Sequence, residues 1–193
     1  ILGGYMADTV IGIRRSILLG SILLAIAYLF IMLSGFTVGF HGDLLFLAAY
    51  SFIPASNSLL MGTSSSMVSH IYAKDAIKAK SAMTYYYMAI NVGALLASLI
   101  SPVLLDSRYG PLSILTIAFI GKSIAALNFA KNFSLYNNVI WGKDLQQFSA
   151  SEISRLIIYI SLIYMATYYA FTHVFIASTF IALGCGGGIF LVF

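Results

Sequence analysis

Tyr87 and Asn91 are the pair whose types and spacing most invite a chemical reading. They lie four apart in an apolar run, TYYYMAINVGALLASLIS, so a helix would put both on one face. A phenol and a carboxamide offer fixed donors and acceptors. An amide left unpaired in hydrocarbon costs a few kcal/mol, so Asn91 must meet a polar partner. That partner is either a solute in a wet cavity or a neighbouring helix, and spacing alone favours the helix. Gly93, Ala97 and Ser101 repeat the spacing of four and predict a small-residue row for close helix packing.

Lys122 is the one ionisable residue deep inside an otherwise apolar stretch. An intramembrane lysine costs at least about 2.5 kcal/mol near the bilayer centre, which makes it a functional candidate. The plainer reading is a cation that snorkels or lines a wet seam. Hydrolysis inside a membrane would need a serine brought to a base. Ser64, Ser65 and Ser66 lie near His70 in sequence, while His41 and His173 fall at expected loop ends on the other side. Serines are ordinary packing residues in membrane helices, so this enzyme reading is the weaker one. No His-Glu-x-x-His pattern or Cys/His cluster occurs, and no metal or cofactor is expected. Cys185 is the sole cysteine, which excludes an internal disulfide.

The elements that must position these residues follow from composition. Of 193 residues, 61% are hydrophobic and 8% charged. Mean hydropathy is +0.97, far from soluble domains, where about a quarter of residues are charged. The apolar runs are continuous and helical in length, without the alternation of a membrane β-barrel. These features predict an all-α polytopic membrane protein. The +4 net charge is split among loops, so a nucleic-acid surface is excluded as a reading.

Helices are expected over 16–34, 44–72 (with Pro54 as a possible kink), 81–105 and 112–130. Pro111 fits a helix start, and Ala73 to Lys80 reads as a loop. Residues 1–15 read as a polar loop in which Gly3, Gly4 and Gly12 allow a tight turn. Ser149 and Glu152 read as a capping box before an apolar run reaching Phe193. That run is twice what a bilayer needs, and a hairpin turning near Thr172 and His173 is expected. Arg14 and Arg15, then Lys74, Lys78 and Lys80, then Lys131, Lys143 and Arg155 fall on alternate loops. The positive-inside rule then makes both chain ends cytoplasmic, with six crossings from Ser16 onward. The boundaries expected are a bundle over 1–131, a cytoplasmic linker over 132–152 and a hairpin over 153–193. Ile1 opens the chain inside what reads as an existing structure, which predicts further sequence upstream.

Three stretches carry a family resemblance. GGYMADTVIGIRR resembles the cytoplasmic loop between helices two and three of the major facilitator superfamily in its peptide-transporter form. TYYYMAINVGALLA resembles the helix-five signature of the proton-dependent oligopeptide transporter family, and SSSMVSHIYAKDAIKAKSAM is similar to the end of its helix four and the loop beyond. The match covers residues 1 to about 131. The final hairpin resembles the helix pair that bacterial members insert between two six-helix bundles.

The resemblance implies a partial bundle of about four transmembrane helices plus the end of another. It implies proton-coupled symport of di- and tripeptides across a bacterial-type inner membrane, with the remainder of the transporter as partner. Tyr87 and Asn91 match the residues that contact peptide. Gly4, Asp8, Gly12, Arg14 and Arg15 match a loop that latches neighbouring helices. Thr9 stands where the family has a cation, which implies a weaker latch. Met61 stands where the family has a helix-four lysine tied to proton coupling and peptide carboxylate binding, and methionine can do neither. Lys122 has no standard family role and is a candidate to replace that cation in part. A non-transporting remnant or membrane partner protein is the alternative that Met61 supports.

Overall fold

One missing N–H decides how the apolar stretch over 44–72 folds. Pro54 cannot donate to Tyr50, and its ring crowds that carbonyl. The expected helix over 44–72 is accordingly two helices, α3 (Phe40–Tyr50) and α4 (Phe52–Ile71), hinged at Ser51. The Ser51 N–H and hydroxyl both donate to Leu47 O, at 3.0 and 2.7 Å. The computed structural model describes residues 2–37, 39–139, 142–145, 149–173 and 178.

The described residues are helical throughout their ordered elements. A short helix α1 (Leu2–Met6) continues as a π-helical turn over Ala7–Ile11, so the expected loop at 1–15 is mostly helix. Of its three glycines only Gly12 turns the chain, at φ 93°. Next come α2 (Ile13–Ser34), α5 (Ala76–Leu105), α6 (Pro111–Lys131) and α7 (Ala150–Thr172). Five stretches are long and apolar enough to cross a membrane: α2, α3–α4 together, α5, α6 and α7. The second arm of the expected hairpin, with Cys185 and its glycines, lies outside the described residues.

Two boundaries move for a local reason. Helix α5 starts at Ala76, not Ser81, because Asp75 caps it. Asp75 Oδ1 accepts the N–H groups of Ile77 and Lys78 at 3.1 and 3.0 Å. These bonds, with Lys78 Nζ at 3.3 Å, hold the Asp75 carboxyl below its ordinary range. Helix α7 starts at Ala150, where Glu152 accepts the Ser149 N–H at 3.0 Å as the capping box predicts. Pro111 opens α6 as expected.

Helix α2 lies at the centre and packs against α3, α4 and α6. Its buried stripe runs Ser16, Gly20, Leu24, Ala27 and Ile31, the spacing of one helix face. At Gly20 a Cβ would sit 3.0 Å from Leu60 N and Ser56 O, so α2 and α4 cross at backbone distance. Small residues permit such crossings where lipid supplies no hydrophobic drive between helices. Helix α5 buries none of its residues and α6 only Ala126. The row Gly93, Ala97, Ser101 therefore is not a packing seam among the described residues; a Cβ at Gly93 would meet nothing within 4 Å.

Because the folded Asp75 carboxyl titrates below its ordinary value of 3.8, its cap is present above that value and lost as pH falls through the lowered one. An acid titration of the Ile77 and Lys78 amide resonances is expected to show a midpoint below 3.8, and Asp75→Ala is expected to abolish it.

Candidate functional site

Two regions hold the residues singled out by sequence, the outer face of α5 and the end of the bundle where α2 begins. On α5, Tyr87 is 54% exposed and Asn91 is exposed one turn later. The Tyr86 and Tyr87 rings meet edge to face at 5.5 Å. The Asn91 side chain makes no hydrogen bond to a described residue. Helix α5 packs on α4 and α6 and leaves this aromatic and amide face open. Met61, on α4, is 58% exposed. Lys122 is half-buried midway along α6, and no carboxylate among the described residues pairs with it. No hydrogen bond or ring contact among the described residues joins Met61 or Lys122 to Tyr87 or Asn91. Two surface grooves run along α2 and α6, at Phe36, Tyr109 and Thr116 and at Ile22, Ile26 and Phe119.

The serines of α4 have a packing role. Ser56, Ser58 and Ser64 donate to the helix's own carbonyls of Phe52, Ala55 and Leu60 at 2.9, 2.8 and 2.6 Å. Ser58 Oγ also lies 2.7 Å from Tyr159 OH on α7, and Ser16 Oγ donates to Leu59 O at 3.3 Å. Met6, Val10, Ile11, Leu59 and Leu156 form one apolar cluster, which places the π-helical turn between α4 and α7.

The latch candidates are drawn together only in part. Asp8 is exposed and forms no ion pair among the described residues. A Cβ on Gly4 would meet Gly62 O at 3.9 Å, an ordinary contact, whereas Gly3 has no room at all: a Cβ there would overlap the Ser58 carbonyl. Gly12 is buried at the turn into α2, and Arg14 and Arg15 are half-buried just beyond. The Arg14 guanidinium lies 4.1 Å over the Phe133 ring, and its Nη1 donates to Phe133 O at 3.4 Å.

Sequence reasoning missed Asp144. It stands in the segment expected to be a solvated linker, yet it is 5% exposed and its Oδ2 accepts the Arg14 N–H at 3.3 Å. Lys143 beside it pairs with Glu152 of α7. The available signal was Gly12, a helix start with no side chain to cap it.

The chain is 33% identical over 129 residues to the dipeptide and tripeptide permease A of Salmonella typhi and of Salmonella typhimurium, a stretch that is 67% of this chain and 25% of each permease. It is 34% identical over 128 residues to the permease of that name from Pectobacterium carotovorum, covering 66% of this chain and 24% of the relative. The chain belongs to the proton-dependent oligopeptide transporter family. A solved structure of a bacterial homologue of the human drug peptide transporters PepT1 and PepT2 matches with a TM-score of 0.72 at 22% identity, over 100% of this chain and 42% of the other. That likeness shows the fold. No family model matches. The chain spans about a quarter of the length of the curated relatives it matches. It is an integral membrane protein.

Within this family the chain has Thr9 where the resemblance puts a cation. Its hydroxyl is turned to Tyr5 O at 2.7 Å, a local bond that cannot stand in for a charge. Gly3 and Gly4 separate close packing from motif membership. Gly3→Ala is expected to lower stability by about 1–3 kcal/mol through overlap with the Ser58 carbonyl, and Gly4→Ala to change it by less than about 0.5 kcal/mol. Thermal unfolding of the two variants in detergent checks both values.

Proposed function

We propose that this chain is part of a proton-coupled symporter of di- and tripeptides, and that Tyr87 and Asn91 contact the peptide. The observation that carries the reading is the open polar face of α5. It sits on a helix otherwise apolar enough to cross a membrane, and Asn91 finds no partner on the described helices. Peptide amides and termini need fixed donors and acceptors in a cavity shielded from lipid, which a second bundle would enclose. The names of the permease relatives agree with this substrate class. The reading places the protein in a bacterial-type inner membrane. The end carrying Arg14, His70, Lys131 and Lys143 is then cytoplasmic, as are both chain termini. It assigns no catalytic chemistry to the chain.

Met61 supports a second reading, a chain that inserts but does not transport. A thioether cannot hold the charge or proton that the family lysine supplies, and its exposure on α4 leaves that position chemically empty. Lys122 is the nearest substitute in kind, a single cation at the middle of a span.

Peptide uptake into proteoliposomes, with the second bundle supplied as a separate chain, distinguishes the readings. Uptake driven by a proton gradient is expected, with Asn91→Ala and Tyr87→Phe each lowering it about tenfold, the worth of one lost hydrogen bond. Lys122→Met is expected to reduce the proton-driven component. No uptake by the assembled halves, with Met61→Lys restoring it, would favour the non-transporting chain.

A further inference from the structure

The start of α2 lacks a cap of its own. Gly12 stands at the cap position with no side chain, and its φ of 93° suits glycine alone. The early N–H groups of a helix need an acceptor, and the positive end of its dipole favours an anion. Asp144 meets both needs from 130 positions away in sequence. The approach is close enough that a Cβ at Gly12 would overlap Asp144 Oδ1. The Arg14 side chain lies over the Phe133 ring and donates to the Phe133 carbonyl. Phe133 in turn borders Phe129 of α6, whose ring stacks on Tyr136 at 5.2 Å. Between these contacts lies a cavity of about 10 Å³, lined by Ile13, Arg14, Met67, His70, Tyr136 and Asp144. Asp144, which lines this cavity, has its Oδ1 buried without a hydrogen-bond partner among the described residues.

We propose that segments 133–139 and 142–145 form a clasp on the latch loop, with Asp144 acting as a remote N-cap for α2. One bound water completes it, filling the cavity and donating to Asp144 Oδ1. The cavity is just large enough for one water, and Arg14, His70, Tyr136 and Asp144 line it beside Ile13 and Met67. The clasp ties the start of α2 to the segment joining α6 and α7, so the latch loop cannot move without displacing that segment. Lys143 bound to Glu152 carries the tie into α7. Asp144 and Phe133 are positioning residues in this scheme, acting through Arg14 and Gly12. The proposal is independent of whether the assembled protein moves peptides.

Hydrogen exchange of the chain in lipid nanodiscs tests it without any transport assay. Asp144→Ala is expected to speed exchange about tenfold at once in peptides spanning 13–16, 133–139 and 142–145, with α5 and α6 unchanged. Asp144→Asn keeps an acceptor oxygen and is expected to give a smaller rise in the same three peptides. Phe133→Leu is expected to do likewise. These two variants carry the test if Asp144→Ala fails to insert. Faster exchange near Arg14 alone, with 133–139 and 142–145 unmoved, would show a cap without a clasp and overturn the proposal. No change in any of the three peptides would overturn it as well.

Discussion

The backbone of α4 between Ser56 and Gly62 is approached from two sides at near-contact distance, and the rest of the bundle depends on that. Gly20 of α2 comes in at Ser56 and Leu60, and Gly3 of α1 at Ser58. Neither approach tolerates a larger residue without displacement. Between them Ser16 bonds to Leu59 O and Ser58 to Tyr159, so polar groups at membrane depth are satisfied by protein. Lipid tails are as apolar as leucine, so these contacts must come from shape and hydrogen bonding rather than from exclusion of water. The serine-rich half of α4 is thus the hub on which α1, α2 and α7 assemble.

That arrangement divides the molecule. One side is closed, with the stripe of α2, the π-helical turn and Leu156 buried against α4. The other side, formed by α5 and α6, buries almost nothing. An apolar helix that carries tyrosines and an asparagine on an open face suits a chain whose matched stretch is about a quarter of its relatives' length. On the function proposed above, the chemistry at that face belongs to a cavity that the whole transporter encloses. The candidate latch loop lies at the closed side, where Gly12, Arg14 and Asp144 meet.

Much of this was legible in sequence because the signals were local. The apolar run after Arg15, Pro111 at the start of α6, and the Ser149/Glu152 box each depend on neighbours a turn away. The break at Ser51 was half legible, since Pro54 marks it but the displaced bond sits four residues earlier. The start of α5 was misplaced because three lysines read as a loop, while Asp75 caps the helix ahead of them. The small-residue row at Gly93 suggested packing by spacing alone, and spacing does not say which face a neighbour covers. Asp144 was hidden for a stronger reason. Its role exists only once a segment 130 positions distant is folded against it, and nothing in a window of sequence carries that information.

The central claim is that the Tyr87 and Asn91 face borders an enclosed aqueous chamber. Its most direct test is thiol labelling at position 91, using Asn91→Cys in a Cys185→Ser background co-assembled with the second bundle in proteoliposomes. The account predicts rapid reaction with a water-soluble, membrane-impermeant maleimide and protection by a dipeptide. A thiol that reacts only with a lipid-soluble reagent, with no protection by any dipeptide, would contradict it.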